Sequence, residues 1–163
     1  MNQRRVVTGT RDGQELIVED EAVEPIRVGQ LGEDVELAFI FRAVGVPTVP
    51  NDGVGLPLPR GPEELPSTPG PGGMLVGSFK VPPGSALPPA SSHPDDRRTE
   101  SVDVHIVLEG EITFEGSDQS MTVLKQGDWI IKNGTGYRWH NQSSAPALVL
   151  AVICGARPTE DEP

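Results

Sequence analysis

The chain is poor in cysteine, aromatic rings and positive charge, with one Cys, one Tyr, two Trp, four Phe and 13 Lys and Arg among 163 residues. Each shortage excludes something. Cys154 has no partner for an internal disulfide, and its place in the apolar run LVLAVICGA reads as a small buried hydrophobe rather than a reactive thiol. Few rings leave Val, Leu and Ile to build the core, which suits β-structure. Against 24 Asp and Glu the few cations leave a net charge of -11. That balance argues against nucleic acid or an anionic membrane surface as partner, since both are bound through clustered Lys and Arg. No apolar run reaches membrane-spanning length. The opening MNQRRVVTGT carries two arginines without the apolar stretch of a secretory signal. Together these features predict a cytoplasmic protein with a small-molecule partner. Internal repeats, a Walker loop, a GxGxxG turn, a CxxC pair and convincing helical periodicity are also missing.

What is present is a series of short apolar segments set apart by turn residues. RRVVTGTRDGQELIVED reads as two strands joined at Asp12-Gly13, because a DG pair supplies the positive φ of a tight hairpin. VELAFIFRAV, residues 35–44, is a third strand. Residues 46–73 hold too many prolines for a ladder or a helix and are expected to form a long loop, with PEEL giving one helical turn at most. Strands resume at MLVGSFKVPPG, followed by a second loop, SALPPASSHPDDRRTE, and by SVDVHIVLEGEITFEG. The stretch from Ser120 to Ala156 reads as three more strands, broken at Gln126-Gly127, Asn133-Gly134 and NQSSAP. Short strands at intervals of about 8 to 12 residues with glycine turns predict an antiparallel sandwich or barrel. The chain divides into residues 1–45, an N-terminal strand arm with the first barrel strands; 46–73, the Pro/Gly-rich loop; 74–157, the barrel core; and 158–163, a polar tail expected to fray.

Two motifs in residues 74–155 resemble those of the cupin superfamily. One is the acid, six residues and glycine of DVHIVLEG, Asp103 to Gly110; the other is GDWIIKNGTGYRWHN, Gly127 to Asn141. The segment opening RRVVTG is similar to the leading arm of small single-domain members. This resemblance implies an all-β, jelly-roll barrel and a homodimer paired through sheet edges and exchanged N-terminal arms, here residues 1–20. It also implies metal ligands inside the barrel, but the ligand pattern departs here. Arg97-Arg98-Thr99 stand where His-x-His is expected, Asp103 stands for the usual glutamate, and Tyr137 stands at the last histidine. The simplest expectation is therefore no metal cofactor. A divalent transition metal needs three or four N, O or S ligands, and would have to be held by His93, brought in by the second loop with Asp95 or Asp96, together with Asp103 and His105.

The inward face implied for the first motif carries Asp103 and His105, and that of the second Tyr137, Trp139 and Asn141, with Arg138 and His140 outward. Arg97 or Thr99 would lie at the barrel mouth. An unperturbed imidazole titrates near neutrality, and an acid about 6 to 7 Å along the strand would raise its pKa. His105 is then the candidate base, Asp103 the orienting acid and Tyr137 the donor to a carbonyl or enolate oxygen. Trp139, Asn141, Arg97 and Thr99 would contact substrate. That chemistry is a lyase or isomerase acting on a small carbonyl-bearing metabolite. A non-catalytic small-molecule-binding barrel stands as the alternative, and a metal-dependent dioxygenase or isomerase as the second. The blander assignment stays open too: an inward histidine satisfied within the core, with Tyr137 and Trp139 filling the barrel, His140 at the surface or a dimer interface, and His93 in solvent.

Overall fold

The computed structural model describes residues 3–31, 34–53, 56–87 and 99–158. Strands β1 (Gln3–Arg11) and β2 (Gln14–Val23) form a separate hairpin. Asp12 and Gly13 at its turn have φ of 50° and 75°, the paired positive angles that a two-residue hairpin of right-handed twist demands. The other strands are β3 (Ile26–Arg27), β4 (Glu36–Ala43), β5 (Met74–Val81), β6 (Ala86–Leu87), β7 (Ser101–Glu109), β8 (Glu111–Gly116), β9 (Met121–Lys125), β10 (Trp129–Asn133), β11 (Tyr137–His140) and β12 (Ala147–Gly155).

They make two antiparallel sheets, ordered β10-β7-β12-β5-β4-β3 and β6-β11-β8-β9. Period-two alternation decides what each sheet turns inward. Along β7 the side chains of Ser101, Asp103, His105 and Val107 are buried and those between them are not; along β11 the same holds for Tyr137 and Trp139. Phe79, Val81, Val107, Val149 and Ala151 from the larger sheet, with Val35 just ahead of β4, meet Leu87, Ile112, Leu124, Tyr137 and Trp139 from the smaller. The result is an all-β jelly roll whose halves stay separate ladders packed face to face.

The hairpin arm is tied to its own barrel. Gln3 donates to Ser78 Oγ at 2.8 Å, and Thr10 N–H donates to Asn51 O at 2.7 Å. The ladder of β4 and β5 shifts register between Phe39 and Phe41, and the carbonyl of the intervening Ile40 accepts from Arg5 at 3.4 Å. A bulge frees a backbone group from the ladder, and here a side chain meets it. Between the arm, β4 and the start of the proline-rich loop lies a groove of about 1110 Å³, walled by Val7, Leu16, Ile17, Phe41 and Val49 among others.

Several expectations need revision. The segment after Ser120 holds four strands, β9 to β12, because its three breaks separate four runs. The two-residue strands β3 and β6 are too short to leave a period in the sequence. Cys154 is half-buried on β12 rather than sealed in the core. In the proline-rich loop the described residues contain no strand, and Pro62–Glu64 form the single short turn expected of PEEL. The tail beyond Pro158 lies outside the described residues.

Gly110, joining β7 to β8, has φ of 75°, and a Cβ there would stand 2.6 Å from the Pro146 carbonyl oxygen. Gly127 has φ of 90° but open space around it. Urea unfolding is therefore expected to show Gly110→Ala costing about 2 to 4 kcal/mol and Gly127→Ala about 1 to 2 kcal/mol. Equal losses would mean that the close approach to Pro146 is relieved at no cost.

Candidate functional site

Asp103 and His105 project between the sheets, buried to 1% and 2% exposure. Opposite Asp103 in the β7–β10 register stands Lys132, itself 2% exposed. Its ammonium donates to Asp103 Oδ2 at 2.5 Å and lies 3.2 Å from the centroid of the Tyr137 ring. Lys132 is the functional candidate that the sequence reading missed. In WIIKN the outward residues are Trp129 and Ile131, 61% and 62% exposed, while Ile130 and Lys132 face in. Hydropathy alone favours the opposite face. The sequence carries no mark of it, because the residue of β7 that Lys132 opposes is set by the pairing of the two strands.

Rings wall this cluster. The His105 centroid is 5.4 Å from that of Trp139, 6.0 Å from Phe79 and 6.4 Å from Tyr137. Phe114 stacks on Tyr137 at 5.9 Å and meets Trp139 edge-on at 5.3 Å. Apolar walls strip water from charged groups, and the titrations follow. Burial and then the Lys132 charge push the His105 pKa down to about 4, against a smaller upward pull from Asp103. Asp103 does pull the imidazole upward, as expected, but desolvation and the nearby ammonium outweigh it, so the net shift is downward. Burial, with Asp103 adding to it, raises the Tyr137 phenol, so it stays protonated across neutral pH. Burial lowers the Lys132 pKa, while Asp103 works against the shift.

The other named residues divide. Trp139, 2% exposed, forms a wall of the cluster. Asn141, expected to touch substrate, has both ends of its amide engaged in the turn that follows β11. Nδ2 donates to Val81 O and Ala145 O, each at 2.8 Å, and Oδ1 accepts from Ser143 N–H and hydroxyl. Thr99 sits half-buried just before β7, with its N–H on Gly134 O. His140 is half-buried, with Nε2 2.5 Å from Glu115 Oε2. His93, Asp95, Asp96, Arg97 and Arg98 lie outside the described residues.

The described donors do not suit a transition metal. His, Cys, Asp and Glu side chains nowhere gather in threes among them. At the expected ligand positions, Asp103 already holds an ammonium and Tyr137 offers a phenol that burial keeps protonated. A dication would have to enter beside a buried positive charge.

Comparison with known proteins agrees with the fold. Residues 77–153 match the family model "Cupin domain". The chain is 34% identical over 91 residues to phomopsin biosynthesis cluster protein C' of Diaporthe leptostromiformis, covering 55% of this chain and 44% of that one. It is 31% identical over 85 residues to oryzines biosynthesis cluster protein J of Aspergillus oryzae, covering 49% and 48%. The matched segment thus spans about half the length of these curated relatives. Among solved structures, the Cnp3 cupin domain of Schizosaccharomyces pombe superposes with a TM-score of 0.56 at 13% identity, over 95% of this chain and 89% of that one. A predicted oxalate decarboxylase of Thermotoga maritima gives 0.52 at 20% identity, over 82% and 93%. At such identities the likeness is one of fold.

Two outcomes follow from the buried charges. Asp103→Ala leaves the ammonium unpaired and is expected to cost about 3 to 5 kcal/mol in urea unfolding, whereas Asp103→Leu combined with Lys132→Met recovers most of that loss. A double variant as unstable as the single one would show that the pair itself is needed. From pH 6.5 down to about 4 the unfolded chain binds a proton that folded His105 refuses, so stability falls as pH falls across that window. The loss is on the order of 3 kcal/mol, and His105→Gln should flatten that part of the stability profile. An unchanged slope in the variant would assign it to other groups.

Proposed function

From the premise that this chain belongs to the cupin superfamily, we propose that it is a lyase or isomerase which moves a proton on a small carbonyl-bearing metabolite. The observation that carries this reading is the convergence of a neutral imidazole, a protonated phenol and a carboxylate–ammonium pair inside one aromatic-walled interior. Tyr137 keeps its proton, so it can donate a hydrogen bond to a carbonyl oxygen as charge develops there. His105 is uncharged at neutral pH, and its Nδ1 has no partner among the described residues, which fits a group that accepts a proton from carbon. Asp103 holds Lys132 with one oxygen and keeps the other free of partners among the described residues. The likeness to biosynthesis cluster proteins supports a role in building a metabolite.

The non-catalytic binding barrel keeps one observation in its favour. A pKa of about 4 makes His105 a weak base, and the rings around it pack as a core packs. Hydrogen exchange separates the two. Small 2-oxo acids and aldehydes incubated with the protein in heavy water are expected to include at least one that loses its α-proton NMR signal. His105→Gln should slow that exchange by about 100-fold or more with thermal unfolding unchanged. Equal exchange in the variant removes His105 as the base. Saturable binding without exchange in any compound favours the carrier.

A further inference from the structure

We infer that Lys132 is the anion-receiving group of the barrel interior and that the ligand it selects is a small 2-oxo carboxylate. The inference rests on the acid–base reading above and deepens it by naming the substrate class.

Three observations carry it. The first is the ammonium's unspent capacity. Lys has three N–H donors and no acceptor; among the described residues the contacts of Nζ are Asp103 Oδ2 at 2.5 Å and the face of Tyr137 at 3.2 Å. A carboxylate and a ring take two directions, and a third remains for an oxygen of the ligand.

The second is a line of unpartnered polar atoms leading to the cluster. Thr99 Oγ1, Ser101 Oγ, Asp103 Oδ1 and His105 Nδ1 are buried without a hydrogen-bond partner among the described residues. Ser101, Asp103 and His105 occupy alternate positions on one face of β7, so successive members stand about 7 Å apart, and Thr99 lies just ahead of that strand. Ser101, Asp103 and His105 are 2%, 1% and 2% exposed, while Thr99 is half-buried. Buried polar groups are ordinarily matched, and three unmatched ones in register on β7, with Thr99 before them, mark a polar strip running inward from the strand's start.

The third is sign and shape. Aromatic faces hold cationic ligands, but here the face of Tyr137 is already taken by Lys132, and a second cation would be repelled. An anion is attracted. The pair Asp103–Lys132 is neutral as a unit, so an entering carboxylate competes with Asp103 for the ammonium. A planar 2-oxo acid places carboxylate and carbonyl oxygens toward Lys132 and Tyr137, its flat face against Trp139, and a proton of C3, the carbon beside the carbonyl, toward His105.

The chain's two tryptophans are Trp129, exposed, and Trp139, within the site. With Trp129→Phe as background, Trp139 fluorescence is titrated with pyruvate, and with acetone as the uncharged comparison. Saturable quenching by pyruvate and none by acetone is expected. Lys132→Met should weaken pyruvate binding at least tenfold. Asp103→Asn keeps the shape and removes the competing charge, so it should tighten binding several-fold, a change that a merely structural lysine would not produce. Near-ultraviolet circular dichroism reports whether each variant is folded, and if Lys132→Met is not, the Asp103→Asn result decides. Pyruvate affinity unchanged in folded Lys132→Met, no tightening in folded Asp103→Asn, or no saturable quenching in the background protein overturns the inference. If the parent protein binds pyruvate through Lys132 yet exchanges none of its C3 protons, the acid–base reading fails while the assignment of Lys132 stands.

Discussion

The ion pair between Lys132 and Asp103 is the constraint from which the site's other properties follow. Two opposite charges out of water are tolerable only together, each repaying part of the other's lost hydration. Because the pair is neutral as a unit, it can sit buried against the face of Tyr137. Because it is made of full charges, it still sets the field that its neighbours feel. Burial and then the ammonium hold the imidazole neutral, and burial with the carboxylate's help holds the phenol protonated. The contact across two strands thus reinforces the protonation states that burial sets.

The scarcity of rings sharpens this picture. Of the few aromatic side chains in the sequence, Phe79, Phe114, Tyr137 and Trp139 gather at one place, while the remainder of the core is Val, Leu, Ile and Ala. A core of branched aliphatics needs no rings to pack. Their concentration around His105 matches the need for rigid, water-excluding walls beside buried charge. The same four rings bridge the sheets, since Phe79 belongs to the larger one and the other three to the smaller.

Much of this was legible from the sequence, and the division has physical causes. Turns written in Asp12-Gly13, Gln126-Gly127 and Asn133-Gly134 were readable because a positive φ restricts which residues can stand there. The inward faces of β7 and β11 followed from period two once the motifs fixed which parity was buried. Lys132 was not legible, because its burial depends on which residue of β7 it opposes, and the apolar Trp129 and Ile131 on the outward face disguise the parity of β10. Asn141 was assigned to substrate on position alone, whereas its amide is engaged by Val81 on the distant β5 and by Ser143 and Ala145 in the turn that follows it. The sign of the His105 shift also escaped, since a sequence reveals a neighbouring acid along the strand more readily than a cation across it.

The proline-rich segment leaves the barrel at the end of β4 and returns at the start of β5, and those two ends, Ala43 and Met74, are directly paired in the ladder. Its return is fastened near β12 by hydrogen bonds of Gly72 and Gly73 with Gly155. An excursion that begins and ends at neighbouring rungs asks nothing of the ladder in between. The closure entropy of such a segment grows only slowly with the number of residues in it. The barrel therefore carries it as a detachable module, whose length and composition can drift through evolution while the register of β4, β5 and β12 stays as it is.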